Sequence, residues 1–204
     1  FEPGYGGYIL GLVRPPRFSP YELLHALLPP LLFNDLIAPL YLVLSSILLL
    51  VFLRMWGRSW TAAVLGGITA FWLGSSTMAG SGHYGKLGVA LFAVATLILI
   101  EKSVRSTGFC RLCWAILAGT SVGFMLLSQQ DVGLLFGLMI APYALFRLVQ
   151  LLWRKPVEWI VVLLPILLIG LLLSAGKAIS SYQTSIRQAS VLQGSGRDKW
   201  NFIT

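Results

Sequence analysis

Apolar runs of membrane-spanning length recur along this chain, each bounded by charge, Gly or Pro. About 20 apolar residues at 1.5 Å per residue cross roughly 30 Å of hydrocarbon, where only a helix or a closed barrel satisfies all its backbone hydrogen bonds. The runs are Leu36–Leu53, Trp60–Met78, Leu87–Ile100, Trp114–Leu127, Val132–Leu152 and Val157–Ser174. The third and fourth are short for a span, and the second is rich in Gly and Ser, so their ends are the least sharply marked. The expected fold is all-α, a polytopic transmembrane bundle of about six spans. Gly66, Gly67, Gly119 and Gly123 read as points where helices approach closely.

Hydrophobic residues make up 57% of the chain and charged ones 11%, against a charged fraction of about 25% in soluble domains. Water is therefore not the solvent for most of the surface. The net charge of +8 does not point to nucleic acid, because the basic residues lie between apolar runs rather than along one soluble face. It reads instead as a topology signal, since Lys and Arg accumulate on the cytoplasmic side. Arg54, Arg58, Lys102, Arg105, Arg111, Arg154 and Lys155 follow the first, third and fifth runs, with Arg147 near the end of the fifth counted among them, while the only basic residue of the intervening connections is Lys86.

That alternation puts residues 1–34 and 175–204 on the extracytoplasmic side of the membrane. Residues 35–174 form the bundle between them. The chain opens at Phe1 without a Met or a signal-peptide pattern and stops at Thr204 in a polar stretch, and it reads as a fragment of a longer protein. Before the first span, Ser19-Pro20-Tyr21-Glu22 has the form of a capping box with Pro at the first helical position. A short helix carrying Leu23, Leu24, Leu27 and Leu28 should start there and end at Pro29-Pro30, lying in the membrane interface.

The densest polar cluster runs from Ser75 to Lys86, at the outer end of the second run. Gly80, Gly82 and Gly85 let backbone N–H groups approach a ligand, and His83 and Lys86 can meet a phosphate or carboxylate. The plainer reading has Lys86 snorkelling to lipid headgroups and His83 capping a turn. A second cluster, Ser128-Gln129-Gln130-Asp131, fills the next outer turn. Asp131 with Gln129 and Gln130 can bind sugar hydroxyls or hold a divalent cation with water; alternatively, Asp131 caps the following helix. A scattered third set on the same side comprises Arg14, Arg17, Glu22, His25 and Asp35, with Lys177 and Arg187 beyond the last run. Two Arg forks held apart by Pro15-Pro16 suit a lipid phosphate, although solvated loop arginines are the commoner case. Cys110 and Cys113 form a single CxxC on the cytoplasmic side, weak ground for metal or redox chemistry. No Gly-x-Ser-x-Gly, HExxH or Walker loop occurs.

The order of these parts resembles the YfhO-like integral membrane proteins and, more broadly, the GT-C glycosyltransferases that use polyprenyl-phosphate sugars. The likeness rests on Phe1-Glu2-Pro3-Gly4-Tyr5-Gly6-Gly7-Tyr8 with the short helix and double proline, on the segment from Arg54 through Arg58 to Ala63, and on Gly82-His83-Tyr84-Gly85-Lys86. This last stretch looks like the Gly-His-x-x-Lys loop of that family, with the Gln-Gln-Asp turn one hairpin later, and the likeness runs from Phe1 to about Leu152. It implies transfer of a sugar from a lipid-linked phosphate donor to an extracytoplasmic acceptor. His83 and Lys86, with Arg14 or Arg17, would face the departing phosphate, and Asp131 would orient the acceptor or a divalent ion. The family's catalytic carboxylate is expected in the first outer loop, upstream of Phe1. A non-enzymatic membrane subunit or a transporter is the alternative. A transport pathway should place ionisable residues near span centres, whereas here they gather at span ends.

Overall fold

The structure, a computed structural model, describes residues 20–72, 84–153, 155, 157–176, 179 and 182. Its helices are α1 (Pro20–Leu27), α2 (Pro30–Met55), α3 (Trp60–Trp72), α4 (Tyr84–Arg105), α5 (Gly108–Ser128), α6 (Gln130–Leu152) and α7 (Val157–Gly176). No strand occurs among the described residues. Helices α2, α4, α5, α6 and α7 are each long and apolar enough to cross a membrane. Their outward faces carry Leu134, Leu138, Met139, Leu164, Leu168 and Leu172, all more than half exposed. Lipid is the only solvent in which so much exposed apolar surface is stable, and the chain is a multi-pass membrane protein.

Helix α4 is the hub, the most deeply buried of the five long helices. One core joins it to α5, α6 and α7 through Val89, Ala93, Ile100, Ala118, Met125, Leu148 and Val162. A second core joins its first half to α2, through Phe33, Ile37, Tyr41, Leu87 and Leu91. Small residues set the spacing, because in lipid helices associate by close packing rather than by expulsion from water. A Cβ on Gly67 would stand 2.7 Å from the Ser46 carbonyl of α2, and one on Gly119 2.7 Å from the Pro165 carbonyl of α7. On Gly123 it would meet the Leu173 side chain at 2.7 Å.

Contacts at the helix ends fix an up-and-down alternation. Arg105 at the end of α4 reaches the Met55 carbonyl at the end of α2 (3.3 Å). Ser103 and Arg111 bond across the α4–α5 turn (3.0 and 3.3 Å), and Arg111 pairs with Glu158 at the start of α7. These ends form one basic face. The opposite face holds the starts of α4 and α6 and the end of α5.

Several expectations change in detail. The second run is helical from Trp60 to Trp72, about 20 Å of helix at 1.5 Å per residue, and its remainder, Leu73–Met78, lies outside the described residues. The third and fourth runs, short by hydropathy, are full-length helices of 22 and 21 residues. Their charged ends continue the helix, so Lys102, Arg105 and Arg111 are helical residues rather than loop residues. Helix α1 starts at Pro20 and stops before Pro29, but its leucines divide: Leu24 and Leu28 pack on the α2 core, whereas Leu23 and Leu27 are exposed. The proposed cap lies outside the described residues and side chains.

Candidate functional site

At the face opposite the basic one, the start of α4 lies against the α5–α6 turn. Helix α5 ends at Ser128, extended Gln129 breaks the chain direction, and α6 begins at Gln130. A Cβ on Gly85 would stand 3.0 Å from the Ser128 carbonyl and 3.5 Å from the Gln129 side-chain oxygen, and one on Gly88 would stand 3.0 Å from Ser128 Oγ. Glycine at both positions allows this approach. Two sequence-distant segments thus meet at one corner of the bundle, Gly85 and Gly88 against Ser128 and Gln129, which brings the first turn of α4 carrying Lys86 close to the turn carrying Gln130 and Asp131.

Lys86 and Asp131 bring one charge of each sign to two helix starts and meet their dipoles in opposite senses. Lys86 occupies the first turn of α4, half-buried, where the helix dipole already presents positive charge and disfavours a cation. Asp131, exposed in the first turn of α6, is favoured by its dipole and accepts from Gln129 Nε2 at 3.5 Å. A dianionic phosphate beside Lys86 would gain both the ammonium and the first N–H groups of α4. His83, Arg14, Arg17, Lys177 and Arg187 lie outside the described residues, as do the side chains of Glu22 and His25. Asp35 is exposed on the first turns of α2. Among the described residues no three His, Cys, Asp or Glu side chains come together, so a divalent cation finds no such ligand set there. Cys110 and Cys113 are free thiols in the first turns of α5.

The best-formed polar cluster is at the basic face and centres on Glu101, which is 0% exposed. Arg147 of α6 forks onto it, with Nε donating to Oε2 at 2.7 Å and Nη2 to Oε1. Tyr143 donates its hydroxyl to Oε2 at 2.8 Å, and Arg105 Nε donates to Oε1 at 2.6 Å. Trp56 closes the cluster from α2, donating to the Tyr143 hydroxyl at 3.3 Å and stacking 5.0 Å from the Arg147 guanidinium. Gln150 accepts the remaining Arg147 fork. With both oxygens occupied by several donors, Glu101 has no free lone pair with which to act as a base. Its chemistry is that of a fastener joining α2, α4 and α6.

Sequence reasoning overlooked this cluster because it counted Arg105 and Arg147 as loop charges. A signal was present: Glu101 and Arg105 are four residues apart, the spacing of a helical ion pair. Arg147 also interrupts an apolar run, and an ionisable residue in such a run implies a partner. No family model, curated protein or solved structure matches this chain.

Proposed function

We propose that this chain is the membrane-embedded part of a GT-C-type glycosyltransferase that takes a sugar from a polyprenyl-phosphate donor outside the cytoplasm. The observation that carries this reading is the close approach of Gly85 and Gly88, the neighbours of Lys86 in the first turns of α4, to Ser128 and Gln129, with Asp131 bonded to Gln129. The two short motifs that resemble the family are distant in sequence, and their proximity is what a shared substrate requires. Departure of a polyprenyl phosphate leaves negative charge on its oxygens, and Lys86 with the α4 N–H groups supplies positive charge where it develops. Asp131 and Gln129 offer acceptors and a donor suited to a hydroxyl-bearing acceptor. The basic face is then cytoplasmic by the distribution of Lys and Arg, and this corner extracytoplasmic.

The test is transfer of radiolabelled sugar from a polyprenyl-phosphate donor by the purified full-length protein in proteoliposomes. Lys86→Ala should lower the rate about 100-fold, the usual size of a lost charge-stabilising contact. Donor left unconsumed by the wild type, or an unchanged rate in Lys86→Ala, would contradict the proposal. A second reading, a non-enzymatic membrane subunit, is favoured by one observation: the most elaborate polar cluster, at Glu101, is saturated by its own partners. Unconsumed donor would support it.

A further inference from the structure

Helices α2 and α6 both pack on α4 but scarcely on each other. A groove of about 340 Å³ remains between them, next to the Glu101 cluster. Ala93, Val94 and Leu97 of α4 form its floor, and Phe136, Met139, Ile140 and Tyr143 of α6 one wall. The α6 spacing of three and four residues puts its wall on a single helix face. Phe52 of α2 and Trp56, just past its end, complete the groove at its basic end. There Phe52 and Trp56 lie 5.8 and 6.2 Å from the Tyr143 ring. Ala93 to Leu97 lie about 6–12 Å along α4 from Glu101 at 1.5 Å per residue, the depth of acyl carbons below a headgroup. The Trp and Tyr stand where such rings sit at a membrane interface.

Charge at the same end is not neutral. Glu101 brings one negative charge, and Arg105 and Arg147 bring two positive ones. Arg147 is 7% exposed and held by Glu101, so the surplus reaches the surface on Arg105, whose side chain is 48% exposed. Lys102, also exposed, stands on the same last turn of α4. A zwitterionic lipid brings its own cation and leaves this surplus unmet, whereas an anionic lipid does not.

We propose that this groove binds one anionic glycerophospholipid, an acyl chain lying along Ala93–Leu97 and its phosphate meeting Arg105. This site is at the opposite end of the bundle from Lys86 and stands apart from the glycosyltransferase reading.

The experiment is native mass spectrometry of the full chain after exchange into equimolar phosphatidylglycerol and phosphatidylcholine of matched chains. The wild type should retain one phosphatidylglycerol over phosphatidylcholine by roughly fivefold, the factor expected of one basic residue at an anionic headgroup. Arg105→Gln should bring that ratio to about one and Arg105→Lys should keep it. Met139→Trp, at a position 69% exposed and therefore tolerant of substitution, should fill the groove and reduce retention of both lipids. Equal retention by the wild type would mean annular lipid only and would overturn the proposal, as would a preference surviving in Arg105→Gln or retention unaffected by Met139→Trp. Displacement of the lipid by millimolar inorganic phosphate would overturn the acyl-chain assignment. Lys86→Ala should leave retention unchanged; loss there would move the lipid to the other end and refute this site.

Discussion

Replacing Arg147 by Leu tests whether Glu101 is a fastener. The substitution removes two of the hydrogen bonds to a carboxylate that is 0% exposed and leaves Tyr143 at 2.8 Å and Arg105 at 2.6 Å to hold it. Breaking a buried pair from one side costs about 3–5 kcal/mol, because the remaining charge is stranded away from water. The two surviving donors put the expected loss near the lower limit, about 3 kcal/mol. For a chain of this size, about 2–4 °C per kcal/mol makes that a fall of roughly 6–12 °C in apparent Tm. Glu101→Leu should cost a similar amount, since it strands Arg147, itself only 7% exposed. The double variant, Glu101→Leu with Arg147→Leu, should recover most of the loss, because apolar replacement of a whole buried pair is near neutral. With about 3 kcal/mol lost in each single variant and about 1 kcal/mol or less in the double one, the coupling across this cycle should be about 5 kcal/mol. Thermal unfolding in nanodiscs, followed by tryptophan fluorescence, reads it directly, Trp56 lying 5.0 Å from the Arg147 guanidinium. Additive losses, with the double variant worse than either single one, would refute the fastener.

Gly119→Ala should lower stability by about 1–3 kcal/mol in the same assay, since the new methyl would stand 2.7 Å from the Pro165 carbonyl and force α5 from α7. Gly137→Ala, with nothing within 4 Å, should be neutral or stabilising by up to about 1 kcal/mol. Arg111→Ala should weaken the α5–α7 contact, because Arg111 pairs with Glu158 and bonds the Ser103 carbonyl; faster proteolysis after residue 153 would register it. Cys110, exposed at the start of α5, should react with an impermeant maleimide from one side of sealed vesicles. A Gln130→Cys thiol in a Cys110→Ser, Cys113→Ser background should react only from the other.

The bundle was legible because each span writes its own apolar run, and hydropathy reports burial in lipid and in protein alike. For the same reason the ends of the runs misled: Lys102, Arg105 and Arg111 lower local hydropathy without ending a helix. The packing glycines were legible at Gly67, Gly119 and Gly123, where lipid leaves little but close approach to hold helices together. Which helix lies at the centre was not, since α4 is less uniformly apolar than α2 yet is the more buried. At the Lys86 corner the residue types could be read from the chain, but their meeting with Gln129 depends on the α4–α5 crossing, a tertiary fact. The Glu101 cluster was the largest omission, because beyond the four-residue spacing of Glu101 and Arg105 its members come from α6 and the end of α2, whose register against α4 no local pattern states.

The most direct measurement is photo-crosslinking of a polyprenyl phosphate bearing a diazirine beside its phosphate to the full-length protein, with the adducts mapped by peptide sequencing. Adducts within residues 84–90 and 128–132, lost in Lys86→Ala, are the predicted result. Adducts confined to the basic face around Arg54 and Arg105, or none that respond to Lys86→Ala, would contradict a donor-phosphate site at the meeting of α4 with the α5–α6 turn.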